Sequence, residues 1–233
     1  MRPLARKMAI SAQEQVEKLK AEGAPKRERT LISCEWYALP QKTCEVGNVS
    51  SWAKDLVSRS ILYNRVPYEL FDVDYTRPIT RLEMCYLAYH ALMGDRYDGG
   101  YFGFYNQKFN FQNLPSTSFK DISDDRLDLL SKLSVITGFS DGSFKPDETL
   151  TRAQLATIVY KVKSIQDENF AKKNRPEGSA PFRDTQNHWA ENYIAAMYNL
   201  GYMKGVGDNL FDPDSALTIE QAIVTLERLQ PAR

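Results

Sequence analysis

The chain has little of what chemistry needs. Its 233 residues include 2 histidines and 3 cysteines. With no Cys-x-x-Cys pair and no His-Glu-x-x-His, a zinc site has no ligand set to draw on. Cys34, Cys44 and Cys85 are too few for a disulfide scaffold. Cys34 and Cys44 lie ten apart in what reads as loop, a spacing that permits an oxidised pair. Cys85 sits in an apolar helical pattern and reads as core. No stretch approaches the roughly 20 apolar residues that cross a bilayer, so membrane insertion is excluded. The first residues mix Arg2, Arg6, Lys7 and Glu14 with small apolar side chains and offer no secretory h-region. There is no excess of positive charge, because 30 Lys+Arg meet 30 Asp+Glu. Nucleic-acid binding through phosphates usually needs such an excess. Asp208, Asp212 and Asp214 lack the spacing of a calcium loop. No phosphate-binding glycine loop and no nucleophile elbow occurs. Carboxylates are plentiful, but at no spacing that marks a glycosidase. The expectation is a chain that is not an enzyme, with no cofactor and no metal.

What is present is repetition. The segment 138–151 (GFSDGSFKPDETLT) and the segment 205–218 (GVGDNLFDPDSALT) agree at seven positions at a constant offset of 67. The identities are Gly138/Gly205, Asp141/Asp208, Phe144/Phe211, Pro146/Pro213, Asp147/Asp214, Leu150/Leu217 and Thr151/Thr218. Upstream, Phe119-Lys120-Asp121 answers Phe182-Arg183-Asp184. A more worn copy precedes them, with Thr80 at an offset of 71 from Thr151 and Trp52-Ala53 answering Trp189-Ala190. Repeats of this kind bury a core by stacking rather than singly.

Each unit reads as helix, irregular loop, helix. Trp189, Tyr193, Met197 and Leu200 recur at three to four residues and predict the first helix of the last copy; Leu127, Leu130 and Leu133 do so in the middle one. The Asp141-Gly142 dipeptide and Pro146 set the loop. The second helices show Met84, Leu87, Ala88 and Ala91, then Leu155, Ile158, Val159 and Val162, then Ala222, Leu226 and Leu229. One unit of this size cannot exclude enough water alone. The economical packing sets the three second helices side by side, with first helices and loops outside. The expected fold is all-α.

All three second helices begin Thr-x-x-Glu/Gln: Thr80/Glu83, Thr151/Gln154 and Thr218/Gln221. That is a capping box, and it accounts for those residues. It does not account for Arg81 and Arg152 between them, since the macrodipole disfavours a cation there. Either these guanidinium groups add to an anion site at the helix start, or they pair with a loop carboxylate such as Asp141 or Asp147. In the last copy the position is Ile219.

Ile79-Thr80-Arg81-Leu82-Glu83 and Leu150-Thr151-Arg152-Ala153-Gln154 resemble the Ile-Thr-Arg-Ala-Glu signature of S-layer homology domains. The Phe-Lys-Asp and Phe-Arg-Asp triplets, Gly138 to Pro146, and His188-Trp189-Ala190 resemble the rest of that module. The resemblance implies three tandem copies forming a pseudo-threefold bundle with grooves between repeats. It further implies cell-surface anchoring, outside the cell at a bacterial wall or S-layer, by binding a pyruvylated secondary cell-wall polysaccharide. Carried over residue by residue, Arg81 and Arg152 are carboxylate ligands and Trp52 and Trp189 line grooves. Glu83, Gln154, Glu220 and the backbone at Gly138 and Gly205 shape them, while Thr80, Thr151 and Thr218 are helix caps. With Ile219 in place of Arg and no glycines in the first copy, one or two working grooves are expected. The alternative is a protein–protein assembly module, with other S-layer or surface proteins as partners, in which sugar binding has been lost.

The resulting division is an N-terminal helix and irregular segment over 1–47, repeats over 48–93, 119–165 and 182–230, an aromatic and glycine-rich insert over 94–118, and a charged, solvated linker over 166–181. The insert reads as a hairpin packing its rings onto the bundle or as a platform for stacking sugars.

Overall fold

The computed structural model describes residues 46–62, 65–71, 73–93 and 118–229. The N-terminal helix, Cys34 and Cys44, and all but the end of the aromatic insert lie outside the described residues. Seven α-helices carry the described part of the fold: α1 Lys54–Leu62, α2 Arg81–Met93, α3 Asp125–Lys132, α4 Arg152–Gln166, α5 Glu168–Lys173, α6 Glu191–Asn199 and α7 Ile219–Glu227. The described residues contain isolated β-bridges but no strand ladder. The fold is all-α.

Local chemistry starts α2, α4 and α7 in the same way. Thr151 stays extended, its hydroxyl accepts from the Gln154 amide, and the Gln154 side chain accepts from the Thr151 amide at 2.9 Å. Thr218 and Gln221 repeat this at α7. At α2 the Thr80 hydroxyl accepts from the Glu83 amide at 3.2 Å, and Glu83 accepts from the Thr80 amide at 3.0 Å. Two orphan donors are thus satisfied reciprocally at each start.

The next donors are satisfied between copies. The Ile79 amide donates to the Leu217 carbonyl, the Leu217 amide to the Leu150 carbonyl, and the Leu150 amide to the Ile79 carbonyl, at 3.0, 3.2 and 3.1 Å. Three equivalent residues so close a triangle of backbone hydrogen bonds. The first helical amides follow suit: Arg81 donates to Glu148, Arg152 to Ser215 and Ile219 to Arg77. Ile79, Leu150 and Leu217 are buried at the ring's centre.

Helix pairing is also cyclic. α2, α4 and α7 pack against one another. Each first helix then lies on the second helix of the copy before it: α3 on α2, α6 on α4, and α1 on α7. The last of these joins the two ends of the described fold. It is fastened by Ser50, whose amide and hydroxyl both donate to Glu220, and by Glu227, which accepts from Ser60 and pairs with Arg65.

The conserved-looking triplets have a packing reason. Asp121 accepts from the Phe144 and Lys145 amides, and Asp184 from the Phe211 and Asp212 amides, so each carboxylate ties down its own copy's loop. A Cβ on Gly138 would stand 2.6 Å from the Phe119 ring and 2.8 Å from the Ser143 carbonyl; one on Gly205 would strike Phe182 and the Leu210 carbonyl. Only glycine lets the loop settle on those rings.

Two expectations are corrected. Trp189 does not belong to the buried stripe of its helix: it precedes α6 and is 62% exposed, while Ile194, Ala195, Ala196 and Met197 form the buried face. The 166–181 stretch is not solvated throughout. It holds α5, whose Phe170 is buried against Tyr160 at 5.5 Å between ring centroids. One aromatic among charges is enough to dock a short helix, and a compositional reading averages it away.

Candidate functional site

Arg81 and Arg152 adopt one pose. Arg81 Nε donates to the Phe144 carbonyl at 2.9 Å and its Nη2 to the Thr137 carbonyl at 3.1 Å. Arg152 Nε donates to Phe211 and its Nη2 to Lys204, both at 2.8 Å. Each guanidinium also covers the phenylalanine ring below it, Arg81 over Phe144 at 4.7 Å and Arg152 over Phe211 at 4.5 Å. Neither forms an ion pair with Asp141 or Asp147; Asp141 instead accepts from Ser143 within its own turn. Burial lowers the pKa of both groups, with carboxylates nearby acting in the opposite direction. Both remain cations in water-poor surroundings, and each keeps one Nη1 with no hydrogen bond among the described residues.

This geometry corrects part of the sequence argument. Structural need does account for a share of each arginine, because its fork staples two loop carbonyls of the following copy. The helix-start amides are not free for an anion either, since they donate to Glu148, Pro146, Ser215 and Pro213 carbonyls and to the capping threonines. Whatever binds here meets side chains.

Beside Arg81 lies a cavity of about 220 Å³ between α2 and α4. Its walls combine distant parts of the chain: Arg81 and Cys85 from α2, Thr137 and Phe144 from the loop before α4, Gln154, Thr157 and Lys161 from α4, and Trp189 from just before α6. No carboxylate lines it. Burial lowers the Lys161 pKa as well, and no hydrogen bond or ion pair engages its ammonium among the described residues. The Cys85 thiol is pushed up to about 12 by burial, so it stays protonated. The Trp189 ring is exposed and lies 5.4 Å from the His188 ring, whose Nδ1 accepts from the Ala190 amide at 3.1 Å.

The expected site residues divide accordingly. Arg81, Gln154 and Trp189 come together in the cavity. Arg152 and Gln221 hold equivalent positions at the next junction, and Trp52, 55% exposed, precedes α1 as Trp189 precedes α6. Glu83 is engaged by Arg77 at 2.9 Å as well as by the cap. Glu220 is 4% exposed and turned to Ser50. Gly138 and Gly205 lie under aromatic rings rather than along the cavity wall. Lys161 was missed in the sequence. It continues the face of Gln154, Thr157 and Ile158 at helical spacing, and that period was the available signal.

The third junction is built differently. Ile219 is fully buried. The position of Thr157 is taken by Tyr86, whose hydroxyl donates to Asp124 at 3.2 Å. Arg126 lies over the Tyr86 ring at 3.6 Å and bonds Glu69 and Asp124 at 2.7 and 3.0 Å. Ser123 stands where Trp52 and Trp189 do in the other copies, two residues before the first helix. The residue equivalent to Phe144 and Phe211 is Val73, so no ring waits there for an arginine to cover.

Comparison with known proteins agrees with this architecture. The model of the S-layer homology domain matches residues 118–156 and 181–223. The chain is 37% identical over 119 residues to a cell surface protein of Thermoanaerobacter kivui, a match covering 48% of this chain and 15% of that one. It is 29% identical over 119 residues to a cellulosome-anchoring protein of Acetivibrio thermocellus, covering 48% and 26%. It is 29% identical over 111 residues to the exoglucanase XynX of the same species, covering 46% and 9%. The chain thus spans about a quarter or less of the length of these relatives. The matched part is shared by one relative named for anchoring and one named for catalysis. The two matched segments carry the loop triplets, the stapling Arg152 and two of the three ring residues, and the chain carries two S-layer homology domains, over residues 118–156 and 181–223.

Proposed function

We propose that the protein anchors to a bacterial cell surface by binding an acidic, pyruvylated glycan of the wall in the clefts between its units. Residues 48–93 act as a divergent third copy, and the three copies are arranged about a pseudo-threefold axis. The closed triangle of Ile79, Leu150 and Leu217 supports that arrangement.

The observation that carries the reading is a cavity lined by two half-buried cations and no acid. A partly desolvated positive charge that no carboxylate neutralises favours a ligand that supplies the counter-charge. A ketal carboxylate does so at Arg81, accepting from Nη1 while Trp189 offers a flat face to the sugar ring. At about 220 Å³ the cavity is smaller than the roughly 300–1,000 Å³ of clefts for drug-sized ligands, which suits a single terminal sugar rather than a chain. Arg152, Gln221 and Trp52 form the second such site. The third junction is closed by Ile219 and by Arg126 with its own acids. Two working sites are therefore the reading, on a molecule located outside the cell and without catalytic activity of its own.

Sedimentation with purified wall sacculi tests this. Binding is expected to sacculi carrying pyruvylated polymer and to vanish after mild acid removes the ketals. Equal binding before and after would overturn the glycan reading and favour a protein-assembly module.

A further inference from the structure

The cavity beside Arg81 contains more positive charge than one carboxylate can neutralise. Arg81 enters from the start of α2, and Lys161 enters from α4, ten residues beyond its cap. Among the described residues neither meets a carboxylate, and the other lining residues are neutral. Arg81 is fixed by two carbonyls, so its position is set before any ligand arrives. Lys161 has no hydrogen bond or ion pair among the described residues and is half-buried on a long flexible stem. A rigid fork and a mobile ammonium on one cavity suit two different anionic groups.

The register repeats. At the offset of 67, Lys161 corresponds to Arg228, and at 71 to His90. Arg228 donates to the Tyr202 carbonyl, and Tyr202 is the counterpart of Val135 in the cavity wall. Gln154, by contrast, is Glu83 at one of its equivalents, and Thr157 changes at both, to Tyr86 and Val224. A basic residue thus recurs at this register, on the second helices at Lys161 and His90 and at the C-cap of α7 at Arg228.

We propose that Lys161 is a second anion-binding residue, and that the ligand of this cleft is a dianionic saccharide whose second acidic group, a phosphate or a carboxylate, lies beside the one read by Arg81. This deepens the reading of the cleft as an acidic-glycan site and rests on it. Lys161 sets which acidic sugar is preferred, while Arg81 sets whether an acidic sugar is held at all.

The test is a calorimetric titration with three probes: a pyruvylated hexosamine glycoside, the same sugar carrying a phosphate monoester, and the same sugar linked to a uronic acid. Wild type is expected to bind one of the two dianionic probes at least tenfold more tightly than the monoanionic one, as a charge-assisted hydrogen bond provides. Lys161→Met is expected to abolish the preference, so that the dianionic probe binds no more tightly than the monoanionic sugar in the same variant. Lys161→Arg is expected to restore the preference. Melting temperatures within a degree or two of wild type keep the comparison one of binding. No preference in wild type, or an equal loss for all probes in Lys161→Met, overturns the second site while leaving the cleft itself intact. Failure of all three probes to bind wild type overturns the acidic-glycan reading and this inference with it.

Discussion

At the scale of single residues, most of the signature does mechanical work before it does any binding. Arg81 covers Phe144 and holds two carbonyls that would otherwise face a half-buried loop without partners. Arg81→Ala therefore removes a staple as well as a charge. We expect it to lower stability by about 1–3 kcal/mol, the range for lost hydrogen bonds to a charged group, as read from chemical denaturation. Arg81→Lys keeps the charge but not the fork, and is expected to weaken the loop nearly as much. Gly138 makes the complementary case. An added methyl meets the Phe119 ring and a backbone oxygen together, and only the ring can give way. Gly138→Ala is expected to cost about 1–3 kcal/mol, as overpacking does, and replacing Phe119 by Leu in the same chain should recover part of it. A melting curve for each variant and for the pair checks both statements; additive losses would contradict the contact.

At the scale of elements, each second helix begins with two layers of satisfied donors, one internal and one from a neighbouring copy. Thr151→Ala removes the internal layer and should cost about 1 kcal/mol, within the range for a lost N-cap. Leu150→Pro removes the amide that donates to Ile79 and opens the ring, so a larger loss with broadened unfolding is expected by calorimetry. Much of this level was legible in the chain. Thr-x-x-Gln names a cap, the stripe Leu155, Ile158, Val159 and Val162 names a buried face, and all four of those residues are buried. The partner of that face was not legible, because periodicity says which side avoids water and not what covers it. Nothing in Leu127 or Leu130 says that α3 rests on α2, in the preceding copy, rather than on α4. Trp189 misled for a related reason: it has the spacing of a core residue and the position of a cleft residue. Phe170 was overlooked because one ring in a charged segment barely alters its composition.

For the whole molecule, the cyclic pairing makes residues 46–93 indispensable to the two matched domains. Without them α7 loses α1, α3 loses α2, and the triangle loses a corner. A fragment of residues 118–229 retains both matched domains, yet it is expected to lack a cooperative thermal transition in circular dichroism. Glu227→Ala attacks the same closure within the full chain. It removes the carboxylate that pairs with Arg65 and accepts from Ser60, so a loss of about 2 kcal/mol or more is expected, below the roughly 3–5 for a fully buried pair. Acid should act on the loops. Hydrogen bonds from backbone amides hold Asp121 below its ordinary value, and bonds from Ser143 do the same for Asp141. Asp184 is lowered too, against the desolvation that raises it. A carboxyl depressed in the folded state binds protons more weakly there than in the unfolded chain. Its stabilising share is complete above the unfolded value near 3.9 and is lost as pH falls through the lower folded value. Denaturant midpoints should thus be flat above about pH 5 and fall steeply below about pH 4.

The central claim is that two of the three junctions, those with an arginine over a phenylalanine, each hold one acidic sugar. Its most direct measurement is the calorimetric stoichiometry for a pyruvylated hexosamine glycoside in wild type, Arg81→Met, Arg152→Met and the double variant, each confirmed folded by its melting transition. The account predicts two sites in wild type, one in either single variant and none in the double. A stoichiometry unchanged by both substitutions, in protein that still melts cooperatively, would contradict it.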